Sequence, residues 1–279
     1  MPWRGLSAAM TIDAPFAVKI LTTFIREELA KFAYTRGILG LSGGLDSSVC
    51  AFLASKALGS ENVIGLIMPY GPSFEGEADD ASAVARRLKI KAITIDIAPM
   101  IDAYFESHPT ASRIQRGNKM ARERMSILYD YSVRERALIL GTSNKTELLI
   151  GYGTLHGDMA CAINPLGDLY KTQVRELAEY LGVPGKVRAK APTAGLWDGQ
   201  TDEEEIGLPY TEIDRILNYL VDERESPAEV VARGFRRESV KKITAMIKAS
   251  EFKRHSPPIA KISPRSVGHD FLYPYDWER

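Results

Sequence analysis

The chain has 279 residues, 45% of them apolar, enough to bury one substantial core with a smaller appendage rather than a second full domain. Thirty-six Lys and Arg balance thirty-six Asp and Glu, so no global field recommends a nucleic-acid or membrane partner. The two cysteines, Cys50 and Cys161, lack zinc or redox spacing and read as buried free thiols of a reducing cytoplasm, while no apolar run is long enough for a membrane span and Met1-Pro2-Trp3-Arg4 does not open a signal peptide. In chain order, residues 38–41 predict a buried strand, followed by a glycine turn and a helix over 49–58. Strands are predicted again at 63–68, 92–97 and 137–140, with helices over 77–88 and 120–133 between them. This βαβα order predicts an α/β fold: an open, mostly parallel twisted sheet with helices on both faces. Ligands of such sheets bind at the carboxyl ends of the strands, where Ser42, Pro69-Tyr70-Gly71 and Gly141-Thr142 fall. Further helices follow, and residues 256–279, with prolines at 257, 258, 264 and 274, read as an extended arm packed on the body or on a neighbouring subunit.

The first turn carries the chemistry. In Gly40-Leu41-Ser42-Gly43-Gly44-Leu45-Asp46-Ser47-Ser48, two adjacent glycines let the backbone approach a polyphosphate, and three serines plus the free N–H groups of the first helical turn supply donors. The Lys-[Ser/Thr] ending of a Walker A loop is missing, and Asp46 stands where that lysine would be, which points to a magnesium ion. The string resembles the PP-loop of the ATP pyrophosphatase superfamily, whose members split ATP between its α and β phosphates.

Later strings narrow the resemblance. Gly117 to Met125 forms a glycine-led helix with arginines at 122 and 124. Gly141-Thr142-Ser143-Asn144-Lys145-Thr146-Glu147 follows a buried strand. Then come Gly151 to Asp158, Asn164 to Val174, Ala191-Pro192-Thr193-Ala194-Gly195-Leu196-Trp197 and Gly199 to Glu203. In this order, with the PP-loop, the chain from about Ile20 to Lys253 resembles the NAD synthetase family, with residues 1–279 expected to form one synthetase domain.

The resemblance implies a two-step reaction: the nicotinate carboxylate of deamido-NAD attacks the α-phosphorus of ATP, pyrophosphate leaves, and ammonia displaces AMP to give NAD. No protein nucleophile is required, and transition-state stabilisation falls to Ser42, Asp46 and Lys171. It further implies ATP contacts at Gly40, Leu41, Ser42, Gly43, Gly44, Leu45, Asp46, Ser47, Thr142, Lys171 and Thr193. Magnesium ligands are implied at Asp46 and Glu147, and a deamido-NAD contact at Arg122. Each of the less distinctive residues also has a plainer reading. Glu147 suits a first-turn helix acid, Arg122 a surface i,i+4 pair, and Thr193 a stiffened turn. None of the four histidines, at 108, 156, 255 and 269, adjoins a nucleophile pattern, and only His156 falls inside a family string.

Two positions depart from the pattern of short ammonia-dependent members: Leu155 stands where a lysine falls and Ala162 where an aspartate does. Only 39 residues precede Gly40, and they contain no cysteine, so no glutaminase domain is expected ahead of the loop. Nitrogen then comes as free ammonia or from a separate glutaminase subunit. Residues 186–205, rich in Gly, Ala, Pro and acidic groups, read as a lid that excludes water from an acyl-adenylate. The resemblance also implies a homodimer, and Met120, Met125, Leu128, Tyr129 and Tyr131 suit a helix buried either at that interface or in the monomer core. Other PP-loop enzymes, such as the ATP pyrophosphatase of GMP synthetase or a tRNA thiolase, and a non-catalytic nucleotide sensor are the alternatives.

Overall fold

The structure is a computed structural model that describes residues 10–71, 75–197 and 199–267. The end of the expected arm, 268–279, lies outside the described residues, as does His269. The chain runs α1 (Ala14–Lys31), β1 (Arg36–Gly40), α2 (Leu45–Leu58), β2 (Val63–Ile67), α3 (Glu75–Leu88), β3 (Lys91–Thr94), α4 (Ala98–Phe105), α5 (Arg113–Glu135) and β4 (Ala137–Ile139). It continues through α6 (Lys145–Ile150), α7 (Lys171–Leu181), α8 (Gly185–Ala189), α9 (Asp202–Ile206), α10 (Tyr210–Leu217), α11 (Pro227–Ala232) and α12 (Arg237–Ala249).

The four strands form one parallel sheet in the order β3-β2-β1-β4. Their side chains divide by parity, because successive residues of a strand point to opposite faces. Leu39, Val63, Ile67 and Leu140 pack with α1, α2 and α7 on one face, whereas Ile38, Ile64, Leu66 and Ile139 pack with α4 and α5 on the other. Burial on both faces explains the continuous apolar runs. The third run stops being a strand at Thr94, yet Ile95 N–H still donates to Ile67 O at 2.9 Å and Ile97 N–H to Pro69 O at 3.0 Å. Beyond β4, Leu140 bridges Ile163 in parallel, so the 161–163 segment begins to extend the sheet without becoming a strand.

The strand order reverses between β1 and β4, and the chain leaving both strands turns over the same sheet edge. That is the switch point where ligands of open α/β sheets sit.

Helix α5 resolves the two roles open to its apolar residues. Met120, Met125 and Leu128 are buried in the chain's own core, while Tyr129 is 46% exposed and Val133, one turn on, is exposed as well. Cys50 is fully buried, but Cys161 is only partly covered, which corrects the reading of both thiols as buried. A third cluster, built from Ile150, Tyr170, Tyr210, Ile213, Ile216, Val230 and Ile243, joins α6 to α10, α11 and α12 beside the sheet. The described part of the arm is largely exposed, with Ser266 buried and Ile262 almost fully in solvent.

Gly151 marks where this helical cluster docks. It caps α6 with φ +70°, and a Cβ there would stand 2.0 Å from Ser250 Cβ at the end of α12. Gly151→Ala should therefore cost roughly 1–3 kcal/mol in urea unfolding, through overpacking on a left-handed backbone, and Ser250→Gly in the same chain should recover part of the loss.

Candidate active site

The loop after β1 is shaped by two contacts. Gly43 has φ +76°, and a Cβ on it would lie 2.5 Å from Glu77 O, so only glycine fits. Gly44 is the extended N-cap of α2, leaving the first-turn amides of a 14-residue helix facing outward. The serines order the turn: Ser42 Oγ lies 3.0 Å from Ser47 Oγ, Gly44 N–H donates to Ser42 Oγ at 3.2 Å, and Ser48 Oγ donates to Gly44 O at 2.7 Å. Backbone donors, hydroxyls and the positive end of a helix thus converge as an anion cradle.

The turn after β4 supplies the opposite charge. Asn144 and Glu147 form a capping box at the start of α6: Glu147 N–H donates to Asn144 Oδ1 at 2.9 Å and Asn144 N–H to Glu147 Oε2 at 3.2 Å. The Asn144 side-chain amide also donates to Asp46 Oδ1 at 3.0 Å, tying the two turns together. Between the carboxylates lies Lys171, the first residue of α7. Its Nζ is 2.5 Å from Asp46 Oδ2 and 3.1 Å from Glu147 Oε1, with the residue only 3% exposed.

A second layer fixes these starts. Thr146 Oγ1 accepts from the Lys171 amide at 3.0 Å and donates to Asp214 Oδ1 at 2.6 Å, while Asp214 Oδ2 accepts from Thr172 N–H at 2.8 Å. Lys171 Nζ stands 5.2 Å from the centre of the Tyr210 ring, whose hydroxyl donates to Asp202 Oδ2 at 3.0 Å.

Burial, helped by repulsion from Asp46, raises the Glu147 carboxyl to about 7 against the pull of the lysine beside it. Burial alone would strip the Lys171 proton, but Asp46 and Glu147 outweigh it and hold the ammonium well above its ordinary range. Two carboxylates thus share one fixed cation. Among the described residues no group of three or more His, Cys, Asp and Glu could hold a metal ion. The donor set instead fits an ion of the magnesium kind, which takes one or two carboxylates and completes its shell with substrate phosphate and water.

These turns wall a cleft of about 530 Å³ at the strand ends. Gly40, Leu41, Ser42, Gly44, Leu45, Asp46, Ser47, Thr142, Glu147, Lys171 and Thr193 all line it, while Gly43 supports the loop from behind. Thr193 also accepts from Gly195 N–H at 3.1 Å, so it stiffens its turn as well as facing the cleft. The segment read as a lid packs down on α5: a Cβ on Gly117 would meet Leu196 Cδ1 at 2.9 Å. Its far end is held where Tyr152 Oη and Gln200 Nε2 both donate to Glu205 Oε2.

Arg122 lies outside the cleft lining. It is exposed and donates from Nε to Leu155 O at 3.1 Å. The arginines that line the cleft are Arg124, on the same helix as Arg122, and Arg175 on α7. Residues two apart on a helix point about 200° apart, and the buried stripe Gly117, Ala121, Leu128 runs through position 124, so helical periodicity could have singled Arg124 out. Asp158 and Lys253 were also missed. Asp158 accepts from Thr154 N–H at 2.8 Å and burial raises its pKa; Lys253 donates to Gly151 O and Gly153 O at 2.8 and 2.7 Å and burial lowers its pKa. Ala162 serves the backbone, its N–H donating to Ile139 O at 3.1 Å.

Fold and cradle together define a nucleotide-binding α/β protein of the PP-loop kind. The NAD synthase family model matches residues 17–257, and the chain belongs to that family. It is 49% identical to an NH3-dependent NAD+ synthetase of Trichlorobacter lovleyi over 96% of this chain and 98% of the relative. Among solved structures it is similar to an NH3-dependent NAD synthetase from Campylobacter jejuni, with TM-score 0.77 and 33% identity over 90% of this chain and 100% of the other. It is similar as well to the NMN synthetase from Francisella tularensis, with TM-score 0.80 and 33% identity over 89% and 99% of the two chains.

The charge count in the cluster predicts an inverse relation between stability and function at Glu147. Its carboxyl rises from 4.5 to about 7 on folding, so the folded state holds the proton more tightly, and the stability of the native chain falls as pH rises through that window. Glu147→Gln removes this dependence. In metal-free unfolding the variant should gain on the wild type steadily between pH 4.5 and 7 and keep that advantage at pH 8; a difference independent of pH would contradict the assignment.

Proposed function

We propose that this chain amidates deamido-NAD to NAD, consuming ATP and ammonia and releasing AMP and pyrophosphate through an adenylated intermediate. The observation that carries the reading is the meeting of the PP-loop with Asp46, Glu147 and Lys171 at one sheet edge. A carboxylate becomes an acyl donor only when its oxygen enters a mixed anhydride, and the barrier falls when charge on the departing pyrophosphate is met by preorganised donors.

In this reading the amides at the start of α2, with Ser42 and Ser47, hold the phosphate chain, and Thr142 and Thr193 close on it from either side. Asp46 and Glu147 hold the magnesium ion, which when bound neutralises phosphate charge. Lys171, released from the two carboxylates, turns its ammonium to the leaving pyrophosphate. Arg122, held on the Leu155 carbonyl outside the cleft lining, contacts deamido-NAD, and the segment over 186–205 shields the adenylate from water. In this reading the residues act together as one synthetase domain, using free ammonia or ammonia from a separate glutaminase. We place it in the cytoplasm as a homodimer without nucleic-acid or membrane partners. The free thiols support the compartment, and the exposed Tyr129 and Val133 of α5 support the interface. No helix among the described residues is long and apolar enough to cross a membrane.

The likeness to an NMN synthetase favours one second reading, with nicotinate mononucleotide as the acceptor of the same chemistry. Purified chain with ATP, magnesium and ammonium, given deamido-NAD or nicotinate mononucleotide in parallel, separates the two. NAD, AMP and pyrophosphate should form in equal amounts from the dinucleotide, and glutamine should not replace ammonium. ADP and phosphate as products would reject adenylation; faster turnover of the mononucleotide would move the acceptor. Asp46→Asn and Glu147→Gln should each lose most of this activity while remaining folded.

A further inference from the structure

Besides Lys171, the cleft is lined by the cations Arg124, Arg175, Lys190 and Lys253, and of these Arg124 is the one anchored at the end of a strand. Arg124 leaves α5 on the sheet face opposite α2 and α7 and anchors its Nε on Met68 O, at the end of β2, at 3.0 Å. That bond fixes the guanidinium plane. Its terminal nitrogens make no hydrogen bond to a described residue, and no carboxylate among the described residues lies within the 4.0 Å of an ion pair. Glu77 and Asp158 attract it from farther off, while burial works against its charge. A guanidinium does not escape that cost by losing its proton, so a covered arginine with free donors facing a cleft is poised for an anion. Elsewhere in the chain Arg233 has Glu225 as an ion-pair partner.

Position limits which anion it is. Lys171 and the two carboxylates serve one end of the phosphate chain from one face of the sheet, and Arg124 reaches the same strand ends from the other face, with Ser42 and Asp46 in the cleft between. Pyrophosphate is already provided for on the first side. We propose that Arg124 is a catalytic residue whose guanidinium binds the α-phosphate of ATP and keeps hold of it in the adenylate. The inference rests on the adenylation reading given above. A bond forms from the substrate carboxylate oxygen to the α-phosphorus, and the bond from that phosphorus to the bridging oxygen breaks, its electron pair leaving with pyrophosphate. Negative charge grows on the non-bridging α-oxygens, where the two free guanidinium edges donate. When ammonia then attacks the acyl carbon, the carbon–oxygen bond breaks, AMP departs with its charge still met by Arg124, and the amine proton passes to solvent.

Single-turnover release of pyrophosphate tests the assignment, with the wild type run first. Arg124→Gln should slow that step roughly 100-fold, as loss of a transition-state donor does, with the KM for ATP raised and the KM for deamido-NAD nearly unchanged. Arg124→Lys keeps the charge without the fork and should fall between them. Since the anchor on Met68 also supports the fold, Arg124→Ala is assayed with added guanidinium ion, and recovered turnover supports the proposal because only a folded site can be rescued. A raised KM for deamido-NAD at a normal rate would give Arg124 to the dinucleotide and overturn the proposal, as would normal kinetics in folded Arg124→Lys and Arg124→Gln. If the wild type releases ADP instead of AMP, the adenylation reading itself fails; if it releases AMP and pyrophosphate and the variants match it, only the role of Arg124 fails.

Discussion

One buried ammonium shared by two carboxylates governs this structure. Lys171 begins α7, Asp46 lies in the first turn of α2 and Glu147 in the first turn of α6, so a single charge cluster joins three helix starts at the carboxyl edge of the sheet. Such a cluster is costly to assemble, because desolvating each charge takes several kcal/mol that attraction offsets only in good geometry. The good geometry comes from backbone devices: the Asn144 capping box, the Thr146–Asp214 clamp and the glycine turn at Gly43. The cost is consistent with function. In the proposed reaction the site accepts a divalent ion and a polyphosphate, and two carboxylates with one cation between them are a set that such ligands would re-pair.

The sheet explains why the cluster lies where it does. Parallel strands require crossovers, and crossovers that change sides between β1 and β4 leave a crevice that no side chain of the core fills. Both turns bordering the crevice are glycine-led. At Gly141 a Cβ would stand 2.6 Å from Cys161 Sγ, so the second turn is as tightly specified as the first, by packing rather than by φ. The helices of the third apolar cluster then cover the far end, contributing Tyr210 beneath the Lys171 ammonium.

Much of this was legible in the residues. Apolar runs at 38–41 and 63–68 fit strands buried on both faces, and the Ser-Gly-Gly-Leu-Asp-Ser string predicts a glycine turn opening a helix with Asp46 in its first turn, as the structure has it. Glu147 and Lys171 follow from motif resemblance, and the contacts of Asn144 and Lys171 with Asp46 span 98 and 125 positions of sequence, which no local pattern reveals. The lysine was read as a phosphate contact, and its place between the carboxylates in the ligand-free chain follows from electrostatics that only the assembled fold displays. The motif does not separate Arg124 from Arg122; only the side of α5 that faces the sheet does. Asp158 and Lys253 carry no sequence signal of their own: the folding of 151–158 onto the residues after α12 brings them to the cleft.

The most direct measure of the shared-cation account is the unfolding free energy of wild type and Lys171→Met as magnesium is titrated without nucleotide. Removing the lysine leaves two buried carboxylates facing each other, so the variant should lose about 3–5 kcal/mol in metal-free buffer, the usual cost of breaking a buried pair. Magnesium should return a larger share of stability to the variant than to the wild type, because the ion takes the place the ammonium has left. A variant as stable as the wild type without metal, or one indifferent to magnesium while remaining folded, would contradict the claim that this cation holds the site together.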